Sequence, residues 1–213
     1  MKFIAHRGLW YKPEEKNTLK ALILAIDRGY GIETDLRDYR GKLVISHDIA
    51  DSQSADVEAL FKYYYESHSD VTLALNVKAD GIQKLLIPLL EKYHITNYFL
   101  FDMSIPEYVV NVRLGLNSFT RYSDIECECV MYDKAIGIWM DSFYQDDWLA
   151  VDDIERHMSN KKKVCIVSPE LHSKTKESVW SMLKNNLTFL VDEVYLCTDV
   201  PEAAEEYFYG CKD

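Results

Sequence analysis

No apolar run in this sequence approaches the length of a membrane span, and no charged-then-apolar leader precedes the first strand-like segment. Basic charge is in deficit: 24 Lys and Arg face 35 Asp and Glu, a formal net charge of -11. That balance argues against a nucleic-acid or anionic-membrane binder, which needs a basic face. A small anionic ligand stays open, because a few local cations or a metal outweigh a distant net charge. Cysteine gives no framework either. The five residues are odd in number and unevenly spaced, which suits a reducing cytoplasm rather than a disulfide scaffold. Cys127 and Cys129 form a C-x-C, but one pair is too few ligands for a metal and reads as plain thiols. No G-x-S-x-G elbow, P-loop or dinucleotide-binding glycine pattern is found, and no cysteine sits in a nucleophile's motif.

What is there is an alternation. The 213 residues contain no linker or composition break, so a single domain over 1–213 is expected. Short β-rich runs at 3–6, 31–35, 71–77, 97–102, 117–121, 136–140, 163–168 and 193–198 are separated by amphipathic stretches. Leu19, Leu22, Ile23 and Ile26 repeat at helical spacing up to Gly29; Ile82, Leu85, Leu86 and Leu89 do so later, as do Ile105, Tyr108, Val109 and Val112. Val179, Met182 and Leu183 mark a further helix, and Ala204, Tyr207 and Phe208 another. A hairpin turning at Arg40-Gly41, then a helix over 54–66, forms an insertion after the second strand. Strands alternating with helices predict parallel pairing, and this number fits a compact (β/α)8 TIM barrel, with a helix missing near 122–135. An open doubly wound sheet is the competitor; it would gather its ligands at one switch point, whereas here polar residues end strand after strand.

Those strand ends carry chemistry. His6-Arg7-Gly8 closes the first run, Glu33-Thr34-Asp35 the second, and His47-Asp48 the hairpin. Side chains alternate along a strand, so Glu33 and Asp35 share a face with Thr34 opposite. Two hard oxygen ligands favour Mg²⁺ or Ca²⁺ over zinc; a solvated strand end is the plainer alternative. His6 and His47, on separate strand ends, suit general acid and base work, and each could equally be a hydrogen-bonded structural histidine. Arg7 can fork onto phosphate oxygens, or simply pair with an acid. Asn76 and Lys78 share a face of the third parallel strand: an amide oxygen there can ligate a hard cation, and the lysine can support a developing phosphorane. Asp102 ends the next run, and Trp139 and Asp141 end a later one, where Trp139 could pack a substrate or the core.

In order, Ile4-Ala5-His6-Arg7-Gly8, Pro13, Asn17-Thr18-Leu19, Glu33-Thr34-Asp35, Gly41-Lys42-Leu43-Val44 and His47-Asp48 resemble the glycerophosphodiester phosphodiesterase family over roughly the first 80 residues. The resemblance implies a TIM barrel, a divalent cation, and a hydrolase releasing a phosphomonoester and an alcohol. Carried over, His6 and His47 are the catalytic pair, Glu33 and Asp35 metal ligands, and Arg7 and Lys78 phosphate contacts. Two departures stand out. The P-E-N-T entry is stretched to Pro13-Glu14-Glu15-Lys16-Asn17-Thr18, and the family's E-x-K reads Asn76-Val77-Lys78, an amide in place of a third carboxylate. Related phosphatidylinositol-specific phospholipases C include metal-free members with an arginine in the cation's place, and Arg37 keeps that variant open. Other readings are a catalytically weak barrel binding a phosphorylated sugar or polyol, and a metal-dependent lyase or isomerase.

Overall fold

The computed structural model describes residues 1–146, 148–186 and 191–210. It divides into two compact units, Ala5–Ser118 and Met1–Ile4 with Phe119–Asp213. Strand β1 (Lys2–His6) runs from one into the other.

In the unit Ala5–Ser118, the end of β1 neighbours β2 (Gly31–Tyr39), and β2 pairs in parallel with β5 (Leu73–Val77), which pairs in parallel with β6 (Tyr98–Phe101). A further parallel bridge joins Leu100 to Ser118. The far end of β2 turns back at Arg40-Gly41 into antiparallel β3 (Lys42–Ile45), which pairs with the short β4 (Ala55–Asp56); this is the expected insertion. Helices α1 (Leu19–Asp27), α2 (Val57–Glu66), α3 (Gln83–Lys92) and α4 (Ile105–Arg113) connect the strands. In the other unit β7 (Phe119–Ser123), β8 (Gly137–Asp141), β9 (Lys163–Val167) and β10 (Val194–Thr198) pair in parallel in that order, with Met1–Ile4 of β1 beside β10. Helices α5 (Val151–Ser159), α6 (Glu177–Asn185) and α7 (Pro201–Tyr209) follow β8, β9 and β10. Only a 3-10 turn, Tyr132–Lys134, forms where a helix was expected to be missing. Among the described residues no helix is long and apolar enough to cross a membrane.

Apolar periodicity located the helices better than it located their faces. In α4 the buried residues are Glu107, Tyr108 and Asn111, while Ile105 is 54% exposed. In α3, Gln83 is buried beside Leu86 and Leu90. The cause is a polar trio. Gln83 Nε2 donates to Glu107 Oε1 at 2.5 Å and Asn111 Oδ1 at 2.7 Å, and the Gly81 amide donates to the same Glu107 oxygen at 2.9 Å. A buried polar group with partners costs little, so these residues take positions an apolar count would deny them. Helix α5 escaped the periodicity because its buried residues are one aliphatic, Ile154, and one histidine, His157.

The loop after β1 depends on a close approach. Arg7 and Gly8 both have positive φ, 57° and 91°. Leu9 N donates to the Ala21 carbonyl at 2.9 Å, drawing the loop onto the first turn of α1, where Thr18 accepts from the Ala21 amide. A Cβ on Gly8 would lie 2.6 Å from the Ala21 carbonyl carbon and 2.8 Å from Leu22 N, both backbone atoms. Gly8→Ala therefore lowers stability by more than about 1 kcal/mol, seen as a fall in Tm of more than about 3 °C. An unchanged melting curve would contradict this packing.

Candidate active site

Register sets the site. Asp35 on β2 is paired with Asn76 on β5, and Asn76 with Phe101 on β6, next to Asp102. Glu33, Asp35 and Asn76 are 2%, 0% and 6% exposed, so the E-x-D pair is buried rather than a solvated strand end.

Asp35 is the hub. Its Oδ2 accepts from Asn17 Nδ2 at 2.7 Å and faces Arg7 Nε at 3.2 Å; Lys78 Nζ lies 3.5 Å from Oδ1. Glu33 Oε2 accepts from the Arg7 amide at 3.2 Å and lies 3.8 Å from His6 Nε2. Asn76 Nδ2 donates to Asp102 Oδ2 at 3.5 Å, and Lys78 Nζ is 3.9 Å from that same oxygen. His6, Arg7, Glu33, Asp35, Asn76 and Lys78 are thus brought together by direct contacts.

Two residues gain roles that strand-end reasoning did not give them. Asn17, at φ 59°, receives the Thr34 hydroxyl on Oδ1 at 2.9 Å and donates its amide N–H to the Arg7 carbonyl at 2.9 Å. It therefore ties the His6–Gly8 loop to β2 from both sides; its place just before the Thr18 cap was the available signal. Asp102, at φ 66°, is the acid that Lys78 and Asn76 share.

His47 sits differently. Its side chain is 45% exposed and its Nδ1 meets Asp48 Oδ1 at 2.9 Å. It lines a hollow with Arg7, Lys16, Asn17 and Thr18, opening beside Asp35's partners. Arg37 does not take a cation's place beside Asp35. Its Nε and Nη2 donate to the His47 carbonyl at 3.3 and 3.2 Å, so Arg37 shapes the His47 loop instead. Trp139 belongs to the other unit, 5% exposed in β8, and offers a ligand little of its ring.

Two acceptors of this donor set are unspent. Asp35 Oδ1 and Asn76 Oδ1 are buried with no hydrogen-bond partner, and they sit on register-paired residues of adjacent strands. Unsatisfied buried oxygens are costly, and hard oxygens in this arrangement fit Mg²⁺ or Ca²⁺. Among the described residues no three His, Cys, Asp or Glu side chains form a metal-holding group, so the fit rests on two carboxylates, Glu33 and Asp35, and the amide oxygen of Asn76.

Burial, then the charge of Asp35, pushes Glu33 up to about 8 from its ordinary 4.5, against the pull of Arg7 and Lys78. A folded-state pKa above the unfolded value means that the folded protein binds the extra proton, so stability falls as pH rises from about 4.5 through about 8. Glu33→Gln removes that titration. In metal-free buffer its stability gains on wild type across this window, with no such gain below it. Melting curves against pH test this; parallel profiles for the two proteins would contradict it.

No protein-family model matches the sequence, and no curated protein matches it. Solved structures do. A candidate glycerophosphodiester phosphodiesterase from Galdieria sulphuraria matches at TM-score 0.75 and 18% identity over 97% of each chain. An Oleispira antarctica phosphodiesterase in complex with its product sn-glycerol-3-phosphate matches at 0.71 and 16%, over 97% of this chain and 96% of that one. A Ca²⁺-dependent phosphatidylinositol-specific phospholipase C from Streptomyces antibioticus matches at 0.57 and 9%, over 99% and 98%. At these identities the likeness is one of fold: over the described residues strands and helices alternate, apart from the β3–β4 insertion and the 3-10 turn between β7 and β8, in the (β/α)8 class expected from the sequence.

Proposed function

We propose that this chain is a phosphodiester hydrolase that cleaves a small glycerophosphodiester-like substrate into a phosphomonoester and an alcohol, with a divalent cation. The observation that carries the reading is the pair of unpartnered buried oxygens on Asp35 and Asn76, set among a histidine, an arginine and a lysine. The product held by the Oleispira antarctica relative and the Ca²⁺ dependence of the phospholipase relative support the substrate class and the ion.

Glu33, Asp35 and Asn76 would hold the cation, which supplies charge neutralisation at the phosphoryl oxygens and a lowered pKa for an attacking oxygen. Arg7 and Lys78 reach into the same space and bind phosphate oxygens, Arg7 by its planar fork and Lys78 as a point charge. Water attacks phosphorus, the bond to the leaving alcohol breaks, and one proton passes from the water while another goes to the alcohol. His6, 15% exposed beside Glu33, and His47, on the open hollow, are the groups suited to those transfers.

A metal-independent variant is the second reading, favoured by one observation: Arg7 and Lys78 already face both oxygens of Asp35. Cys165 and Cys197 are fully buried in β9 and β10, and burial pushes the Cys129 thiol up to about 11. An odd number of cysteines without a framework spacing supports the cytoplasmic location that we propose.

A panel of glycerophosphodiesters with Mg²⁺, Ca²⁺, Mn²⁺ or EDTA, read out as phosphomonoester released, tests the activity. Turnover is expected with a divalent cation and lost with EDTA. His6→Ala and His47→Ala should each lower it by at least about 10²-fold. Full turnover in EDTA would select the metal-independent reading, and a wild-type rate in either variant would remove that histidine from the chemistry.

A further inference from the structure

We infer that Lys78 is a resident counter-cation: it stands beside Asp35 and must move toward Asp102 for a divalent cation to bind there. The inference rests on the proposed cation site and adds a control on its loading.

The two cations beside Asp35 are held very differently. Arg7 is fixed through its backbone, its amide donating to Glu33 and its carbonyl accepting from Asn17, and its guanidinium faces Asp35 Oδ2. That oxygen also accepts from Asn17. Asp35 Oδ1 makes no hydrogen bond, and its charge neighbour is Lys78 Nζ at 3.5 Å. Lys78 stands between two acids, 3.5 Å from Asp35 and 3.9 Å from Asp102, at distances looser than a direct hydrogen bond. Its side chain is 21% exposed on a flexible four-carbon stem, and Asp102 is 27% exposed, so the ammonium has room to shift from one acid to the other.

The oxygen that Lys78 attends is the one that the cation needs. A divalent ion on Asp35 Oδ1 and Asn76 Oδ1 would stand within a few ångströms of the ammonium, where like charges repel strongly in a partly desolvated site. Asp102 is the acid within reach that can receive the displaced charge. The effect is large in this chain because position 76 is an amide. Glu33, Asp35 and Asp102 are the acids of the cluster, against the two cations Arg7 and Lys78, and no carboxylate on β5 offsets the lysine.

Calorimetric titration of Mn²⁺ into the full chain tests this without reference to turnover, with Asp35→Asn as the control for ions bound elsewhere on an acidic surface. Lys78→Gln should bind Mn²⁺ at least about tenfold more tightly than wild type, on the strength of one close charge pair removed. Asp102→Asn should bind it at least about threefold more weakly, and that loss should shrink when Lys78 is already Gln, since nothing is then left to be displaced. Lys78→Met, a second neutral variant, guards against a local defect particular to glutamine, and melting curves report folding. Equal or weaker binding in both neutral variants, with wild type still binding through Asp35, would overturn the inference and leave the cation site standing. Absence of Asp35-dependent heat in every protein would overturn both.

Discussion

The burial of two carboxylates side by side governs this structure. Glu33 and Asp35 are almost wholly removed from water on one face of β2, an arrangement that costs free energy unless charge and hydrogen bonds compensate. Compensation explains much of what surrounds them. Arg7 turns through a positive φ to aim both its amide and its guanidinium at the pair, Gly8 lets that turn press on α1, and Asn17 braces the loop against β2. Lys78 comes from the end of β5. Even so, burial and Asp35 hold the Glu33 carboxyl well above the usual carboxylate range, and one oxygen each of Asp35 and Asn76 lacks a hydrogen bond. A protein retains such an arrangement where function requires it.

The proposed function rests on that incomplete neutralisation. A structural ion-pair network would satisfy its members; this one leaves acceptors on adjacent strands and positive side chains close by. A phosphodiester needs that combination, because its anionic oxygens require cations while the departing alcohol and entering water require proton transfer. Asn76 stands where the family that the sequence resembles has a carboxylate, so the site carries less negative charge than that pattern and its two cations weigh more heavily in the electrostatic balance.

The strands were legible as short, largely apolar runs, such as Leu73–Val77, buried throughout. The site residues were legible as polar groups interrupting those runs, since alternation puts Glu33 and Asp35 on one face without further information. Pairing was not legible. That Asp35 faces Asn76 depends on register between strands about forty positions apart, and Asp102's part depends on a third strand. The buried faces of α3 and α4 were misjudged for a related reason: Gln83, Glu107 and Asn111 are polar alone, and Gln83 links the other two by hydrogen bonds that only the folded pairing of α3 and α4 supplies. Arg37 had the spacing to reach the carboxylates, but the antiparallel return of β3 brings the His47 carbonyl to it.

The central claim is that Asp35 and Asn76 present their free oxygens to a divalent cation. Crystals grown with Mn²⁺, examined in an anomalous difference map, test it most directly. The account predicts a peak at about 2.0–2.6 Å from both Asp35 Oδ1 and Asn76 Oδ1, the range for hard cations on oxygen ligands. A map with no peak there, or with the ion bound only at surface acids, would contradict it.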